Sequence, residues 1–396
     1  MAAKLGLAEV DGDLWSDEVL RDPHPLYAAL RAHGGASYLP ENGLWAFSSY
    51  DNVRWALGHH EHFTSEQGVA MSDEVNAMYT AEVNVLHDDG EAHKKLRSVL
   101  AGLLGPRAVR KLTQDIQQEA DALVDEVIKQ KDFDGMRDLA AILPVSVIAR
   151  LVGLPEEKRM NLLDWADASF TVFGPMNERT VNALPKIQEL WNYLTVEAAR
   201  ENLSAESWGA AIYEAGDRGD IPVEGCFSLM LGFVGAGMDT TISAIGSALY
   251  LLGSDPDQWQ QLREDPSLIP SAFNEVLRLE SPVQGFSRVA LQDFAVGGVV
   301  VPEGARVVML YGSANRDGAK WSDPDRFDIR RNPTDHLAFG YGLHSCVGQT
   351  LARIEGHAVL KALTERVSSF EVGDFAWSLN NTSRRLKSLA VSITAS

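Results

Sequence analysis

The chain has 396 residues, of which 45% are hydrophobic and 23% are charged, and its formal net charge is −20. This composition is typical of a globular protein with a large core, and the acidic balance argues against nucleic acid as a partner. Cys226 and Cys346 are the only cysteines, which excludes a disulfide framework and fits a reducing cytoplasm. With no linker-like stretch and no apolar run long enough to cross a bilayer, we expect one cytoplasmic domain over residues 1–396.

Hydrophobic periodicity predicts a fold that is mainly α with a smaller β region. Short helices are expected at residues 25–33 and 51–58, with a hairpin between them over 36–49. Residues 68–85 have weak periodicity and are interpreted as a loop. A long amphipathic helix follows over residues 109–127, and short alternating segments near 289–300, 306–310 and 379–393 predict strands.

A basic stretch interrupts the acidic background at residues 93–114, which contain no Asp or Glu. Two interpretations stay open: a solvated helix face, or a docking patch for an acidic redox protein. The basic residues of the docking interpretation are Lys94, Lys95, Arg107, Arg110 and Lys111.

Three glycines lie inside the apolar, helical segment 223–252, at positions 232, 235 and 237. A glycine in a helix interior costs about 1 kcal/mol relative to alanine. Something at these positions must therefore require that no side chain is present. One explanation is close helix packing. The other is room for a flat cofactor and dioxygen, with the Thr240 hydroxyl bonding back to the Ala236 carbonyl and bending the helix.

A second glycine-rich segment, residues 336–348, places Cys346 just before a predicted amphipathic helix that begins at residue 349. The free N–H groups and dipole of a helix N-terminus favour an anion, here a thiolate. Gly340, Gly342 and Gly348 would let the backbone approach a flat ligand, and Phe339 can cover the sulfur.

The pattern Phe339-Gly-x-Gly-x-His344-x-Cys346-x-Gly348 resembles, residue for residue, the haem-ligand loop of the cytochrome P-450 monooxygenases. The resemblance implies the cytochrome P-450 fold and a haem b cofactor, with Cys346 as the proximal thiolate ligand of the iron. Ala236-Gly-x-Asp239-Thr240 resembles the oxygen-activation motif of the same family. It implies that Thr240 hydrogen-bonds to the activated oxygen and that Asp239 gates protons.

The resemblance assigns roles to further residues. The residues implied to hold the haem are His93, Arg97, Ala236, Arg288, Phe339, His344, Cys346 and Gly348, of which His93, Arg97, Arg288 and His344 would bind the propionates. A structural ion-pair network is implied for Glu275, Arg278 and Arg326. Residues 170–175 resemble the mobile roof over the active site, and the implied substrate pocket comprises Phe170, Val172, Phe173, Gly232, Gly235, Ala236, Val283 and Phe286.

No flavin or nicotinamide fingerprint is evident, so the resemblance implies electrons from NAD(P)H through an external reductase and ferredoxin. Residues 281–286, 312–317 and 380–386 resemble bacterial enzymes that oxidise para-substituted benzoates, whose carboxylate-binding positions correspond here to Leu231, Gly232, Gly235 and Gln67. Burying a carboxylate without a cation costs several kcal/mol.

We therefore expect hydroxylation or O-demethylation of a neutral or phenolic methoxyarene. A benzoate, terpenoid or macrolide hydroxylase, a peroxide-driven peroxygenase and a non-enzymatic haem sensor are the alternatives.

Overall fold

The computed structural model describes residues 9–79, 83–156 and 159–396. Helices dominate these ranges. The α-helices are α1 (Asp17–Arg21), α2 (His24–Ala32), α3 (Tyr50–Gly58), α4 (Asp73–Tyr79), α5 (Gly90–Leu103), α6 (Pro106–Val127), α7 (Ile142–Val152), α8 (Leu162–Thr171), α9 (Glu178–Asn192), α10 (Trp208–Asp217), α11 (Val223–Ala236), α12 (Asp239–Gly253), α13 (Pro256–Glu264), α14 (Ile269–Glu280), α15 (Tyr311–Ala314) and α16 (Gln349–Arg366).

The strands form three separate sheets. They are β1 (Ala36–Leu39), β2 (Leu44–Phe47), β3 (Phe63–Thr64), β4 (Asp132–Asp134), β5 (Gly285–Ala290), β6 (Phe294–Val296), β7 (Val299–Val301), β8 (Arg306–Leu310), β9 (Val367–Trp377) and β10 (Leu386–Ala395). The largest sheet has the order β1-β2-β8-β5-β3, in which only β2 and β8 run parallel. The other two sheets have the orders β4-β10-β9 and β6-β7.

The helical core is built around α6, α11, α12 and α16. Along α6 the buried residues Leu112, Ile116, Ala120 and Val124 recur every fourth position, so one stripe of this 22-residue helix faces the core. The hydrophobic cluster that contains this stripe also includes Leu351 and Leu363 of α16. The predicted long helix is confirmed in this position.

Residues 73–79 form α4, although the sequence predicted a loop there. The hydroxyl of Ser72 accepts a hydrogen bond from the backbone N–H of Val75, and Asp73 and Glu74 lie in the first turn, where a helix N-terminus favours acids. Capping starts this short helix despite its weak hydrophobic periodicity.

In the described part of the chain, one run is long and apolar enough to cross a membrane, residues Val223–Gly253. It is divided into α11 and α12 by Gly237 and Met238, and 67% of its most apolar window is buried inside the protein. This burial is typical of a core helix.

Candidate active site

The loop before α16 is held in a tight conformation by two glycines. Gly340 has φ +66° and Gly342 has φ +72°, values that side chains rarely adopt. A Cβ at Gly342 would also lie 2.4 Å from the Leu57 carbonyl oxygen of α3. The backbone N–H of Cys346 donates to the Phe339 carbonyl at 2.8 Å, which fixes the cysteine at the start of α16.

Burial raises the pKa of the Cys346 thiol. The backbone N–H groups of Gly348 and Gln349 at the helix N-terminus oppose this shift, and so do the guanidinium groups of Arg97 and Arg353. Because burial dominates, the helix N-terminus alone does not produce a thiolate. A metal ion does, since a coordinated thiol loses its proton outright.

His93 and His344 lie side by side next to the cysteine loop, with ring centroids 4.5 Å apart. Both ring nitrogens of His93 are buried and have no hydrogen-bond partner in the described ranges. Burial, followed by His344 and Arg97, lowers the pKa of His93 to about 4, so the ring is neutral. The Nε2 atom of His344 lies 2.6 Å from Asp89 Oδ1, which leaves Nδ1 to face another group. Sequence reasoning gave Asp89 no role.

Two arginines lie close to these histidines. Arg97 donates from Nη2 to the Ser345 hydroxyl at 3.3 Å, and the buried Arg288 donates to the carbonyl of its neighbour Ser287 at 2.7 Å. Neither forms an ion pair with a described carboxylate, and both lower the pKa of His344, behind burial as the leading cause. Buried guanidinium groups without an acid are costly, so this cluster fits a dianionic ligand such as the two propionates of haem.

On the distal side, α11 presents an open face to the interior. Gly232 and Ala236 are exposed and Thr240 is partly exposed, although their helices run through the core. These residues are four apart and share one face. A Cβ at Gly232 would meet nothing within 4 Å, and the Thr240 hydroxyl donates to the Ala236 carbonyl at 3.2 Å, as the sequence predicts.

Gly235 does not line this open face. It is buried, and a Cβ there would come within 3.2 Å of the Ser169 hydroxyl of α8. Gly237 is similarly crowded, because a Cβ there would lie 2.8 Å from the Ile148 side chain of α7. Close packing therefore explains these two glycines, whereas room for a ligand explains Gly232.

The side chains of the predicted roof segment, residues 170–175, point in two directions, some towards the site and one towards α9. The Phe173 ring meets the Phe286 ring edge-on at 5.5 Å, and both side chains are partly exposed. Phe170 and Val283 are buried together behind them in the same apolar cluster. Val172 does not line the site, because its N–H bonds to the Ala168 carbonyl and its side chain packs with Ala168 against α9.

Comparisons with known proteins agree with this geometry. A family model described as cytochrome P-450 matches residues 148–373. The cytochrome P-450 CYP199A2 of Rhodopseudomonas palustris is 37% identical over 392 residues, which are 98% of this chain and 95% of that protein. The chain belongs to the cytochrome P-450 family.

Further members of this P-450 family match along nearly the whole chain. The monooxygenase PikC of Streptomyces venezuelae is 32% identical and covers 93% of this chain and 91% of its own length. The crystal structure of CYP109E1 from Bacillus megaterium in complex with testosterone has a TM-score of 0.84 and 26% identity, with coverage of 95% and 99%. An intact type IV self-sufficient P-450 monooxygenase has a TM-score of 0.86 and 27% identity, and covers 98% of this chain but 53% of its own.

As a P-450, the chain is a monooxygenase that uses haem b and receives electrons from NAD(P)H through a redox partner. The residues of the site fit that cofactor: a cysteine just before a helix, an anion-binding cluster beside it, and an open helix face. The haem would be held by Cys346 and by His93, Arg97, Arg288 and His344.

Asp239 of this P-450 lies in an arrangement that sequence reasoning missed. Its carboxyl group is buried, which raises its pKa, while Arg385 lowers it. Arg385 Nε lies 3.1 Å from Asp239 Oδ1, and Arg385 Nη2 lies 2.8 Å from Asp167 Oδ1 on α8. The guanidinium of Arg385 is thus shared between Asp239, the neighbour of Thr240, and Asp167 of α8.

The structural ion-pair network of this P-450 differs from the prediction in one member. Arg278 donates to both oxygens of the fully buried Glu275 at 2.7 and 2.9 Å. The second guanidinium belongs to Arg331, whose Nε donates to Glu275 at 2.9 Å. Arg326 contributes only its carbonyl oxygen, because its side chain is exposed.

The predicted docking residues Lys94, Lys95, Arg110 and Lys111 are exposed on α5 and α6 of the P-450 fold. Lys94 pairs with Glu91 at 2.5 Å. The others form no ion pair with a described acid. The side chain of Arg107 lies outside the described residues.

Proposed function

We propose that this P-450 oxidises small neutral or phenolic arenes that carry a methoxy group, by hydroxylation or O-demethylation. The observation that carries the proposal is the pair of aromatic rings, Phe173 and Phe286, that meet edge-on and are partly exposed. A Cβ at Gly232 would meet nothing within 4 Å, so α11 leaves room for a flat ring. Edge-to-face contacts with the two phenyl rings favour an aromatic substrate.

Arg306 and Arg385 are already paired with acids, and the unpaired Arg288 belongs to the cluster that fits the haem propionates. Arg306 lies 2.7 Å from Asp73 and donates to the carbonyls of Gln67 and Gly68. Arg385 is held by Asp167 and Asp239. A benzoate carboxylate would have to displace one of these acids or remain unpaired at a cost of several kcal/mol.

When bound, the haem activates dioxygen with two electrons. Thr240 supplies a hydroxyl on the open helix face, and donation of its proton to the Ala236 carbonyl fixes its orientation. Its oxygen would then accept a hydrogen bond at the site of oxygen activation. Asp239 is the proton source, because burial keeps its pKa raised and Arg385 positions it. The phenyl rings of Phe173 and Phe286 would exclude water and orient the methoxy group of the substrate.

In the demethylation, one atom of dioxygen enters a C–H bond of the methoxy group, and the other leaves as water with two protons. The resulting hemiacetal breaks its carbon–oxygen bond and gives a phenol and formaldehyde.

The electrons are proposed to come from a separate ferredoxin that binds the basic surface formed by Lys94, Lys95, Arg107, Arg110 and Lys111. We further propose that residues 1–396 form one catalytic domain and work in the cytoplasm.

The experiment is an optical titration of the ferric enzyme with guaiacol-type phenols and with 4-methoxybenzoate. We expect a low-spin to high-spin shift with the phenols, followed by formaldehyde release when a ferredoxin couple is added. A full shift with the benzoate alone would refute the neutral-substrate proposal. Faster turnover with peroxide than with the ferredoxin couple would instead identify a peroxygenase.

A further inference from the structure

Arg353 lies near the haem-ligand cysteine and has no role in the proposed chemistry. It lies in the second turn of α16 (Gln349–Arg366), where its positive charge acts on the Cys346 thiol. The guanidinium carbon of Arg353 lies 4.6 Å from the centroid of the Phe339 ring, within cation–π range. Phe339 belongs to the same loop as Cys346, because the Phe339 carbonyl accepts a hydrogen bond from the Cys346 N–H.

The hydrogen-bond partners of Arg353 are all neutral. Its Nε donates to Asn274 Oδ1 at 3.2 Å, and its Nη1 donates to Gln349 Oε1 at 2.9 Å. Within the described ranges no carboxylate pairs with it. The two amides therefore hold the guanidinium in place without neutralising its charge.

Two other arginines differ from Arg353, because Arg366 pairs with acids and Arg97 would pair with the haem propionates. At the far end of α16, Arg366 pairs with Asp121 and Asp125. Arg97 also lies near the sulfur, but it belongs to the cluster that fits the haem propionates. The positive charge of Arg353 is left to act on the thiolate. Burial lowers the pKa of Arg353 and the Cys346 thiolate raises it, as expected for two interacting groups.

We propose that Arg353 is a positioning residue that sets the reduction potential of the haem iron through the Cys346 sulfur. Reduction adds one negative charge to the iron–thiolate unit. An uncompensated cation in a partly buried position stabilises the reduced form more than the oxidised form. The retained charge thus makes electron acceptance from a ferredoxin more favourable.

The test measures the midpoint potential of the substrate-free holoenzyme without any redox partner. In Arg353→Gln we expect the equilibrium constant for reduction to fall about tenfold, which is about 59 mV for a one-electron couple. Arg353→Lys keeps the charge and should stay within about twofold of the wild-type constant. Lys361→Gln removes one exposed charge from the same helix and should leave the potential unchanged.

A second variant keeps the side chain in place and neutralises it. Asn274→Asp introduces a carboxylate at the position that already bonds to Arg353, so the potential should fall as in Arg353→Gln. The Soret band of the reduced carbon monoxide complex verifies the thiolate ligand in every variant. If Arg353→Gln does not retain haem, Asn274→Asp decides. Equal potentials in Asn274→Asp and wild type, or equal shifts in Arg353→Gln and Lys361→Gln, would overturn the proposal.

Discussion

The Thr240 hydroxyl has two functions in the proposed mechanism, one in the geometry of the helix and one in oxygen activation. Its hydroxyl bridges the break between α11 and α12 by donating to the Ala236 carbonyl, and the side chain stays partly exposed to the open face. A methyl group at this position would preserve the fold but remove the hydrogen-bonding atom.

We expect Thr240→Ala to reduce product formation about 100-fold, the lower end of the range for a lost acid–base contact. Dioxygen consumption should continue and release peroxide, while haem content stays unchanged. Thr240→Ser retains the hydroxyl and is the matched control. Product and peroxide yields per NAD(P)H are the measurement, and wild-type coupling in Thr240→Ala would contradict the assigned role.

The observed ion-pair network contains the side chain of Arg331, whereas the network expected from sequence contained Arg326. Arg331→Met removes a charge-assisted bond to the buried Glu275, and we expect a loss of about 1.5–3 kcal/mol in the free energy of unfolding. Arg326→Met should stay within about 0.5 kcal/mol, since its side chain is exposed. Denaturant unfolding of both variants tests the assignment. A larger loss of stability in Arg326→Met than in Arg331→Met would show that Arg326 is the member of the network.

The positions and local contacts of residues could be predicted from sequence where they depend on local spacing. Cys346, Gly342 and the Thr240–Ala236 contact lie in short segments whose geometry follows from neighbouring residues. The partners Asp89, Arg331 and Arg385 could not be predicted, because they meet the site through contacts between distant segments. Arg385 lies 146 positions from Asp239, so no helical or strand periodicity connects them.

At the scale of elements, α11 combines two uses of glycine in one helix. Gly232 faces open space, whereas Gly235 faces Ser169 of α8. Periodicity placed the helix correctly, but composition alone could not distinguish the two glycines. The same limit applies to Val172, which lies two residues from Phe170 and packs against α9 instead of the site.

The pair Gly232→Ala and Gly235→Ala tests this distinction. Both gain up to about 1 kcal/mol of helix propensity, but only the alanine at 235 crowds Ser169. We expect Gly235→Ala to be less stable than Gly232→Ala by at least about 1 kcal/mol, and a Ser169→Gly replacement to restore much of the difference. Thermal unfolding is the measurement, with the spin shift by phenols weakened in Gly232→Ala alone.

The contact of α16 with α6 and α7 buries a carboxyl group that has no hydrogen-bond partner in the described residues, Glu355. Burial raises its pKa well above the ordinary value, and the nearby Glu119 adds to the shift while Arg150 opposes it. The folded chain therefore holds a proton that the unfolded chain releases above its ordinary pKa. This difference lowers stability as the pH rises through that window.

Glu355→Gln stays neutral at every pH and should remove this contribution. We expect the variant to gain stability relative to wild type as the pH is raised from 5 to ~9, the range in which buried carboxyls titrate. Unfolding midpoints across this range are the measurement. Parallel pH profiles for the two proteins would show that Glu355 is not protonated in the folded state.

At the scale of the whole molecule, the chain is acidic but carries exposed basic residues on α5 and α6. The chain carries −20 overall, yet Lys95, Arg110 and Lys111, which belong to the proposed docking surface, are exposed and form no ion pair with a described acid. Such a local field increases the association rate of an acidic protein and depends on ionic strength. The mainly α fold with a smaller β region was predictable at this scale, because strong amphipathic periods cover most of the chain.

Replacement of Lys95, Arg110 and Lys111 by Gln should slow association with an acidic ferredoxin by one to three decades, the range seen within one interface, and flatten its salt dependence. Replacement of Lys129, Arg218 and Lys361 removes the same number of exposed charges elsewhere and is the control. Stopped-flow reduction at several salt concentrations measures both effects. Equal slowing by the two triple variants would exclude a localised docking surface.

Trp15 near the beginning of the described chain donates from its indole N–H to the carbonyl of Asn381 at 2.8 Å, across 366 positions. During synthesis at 5–20 residues per second, roughly 20–70 s separate the appearance of these two residues. The segment that contains Asn381 also brings Arg385 to Asp239. The contacts of the first helices with this segment can therefore form only after an interval of roughly 20–70 s, during which the nascent chain exposes the surface that these contacts bury.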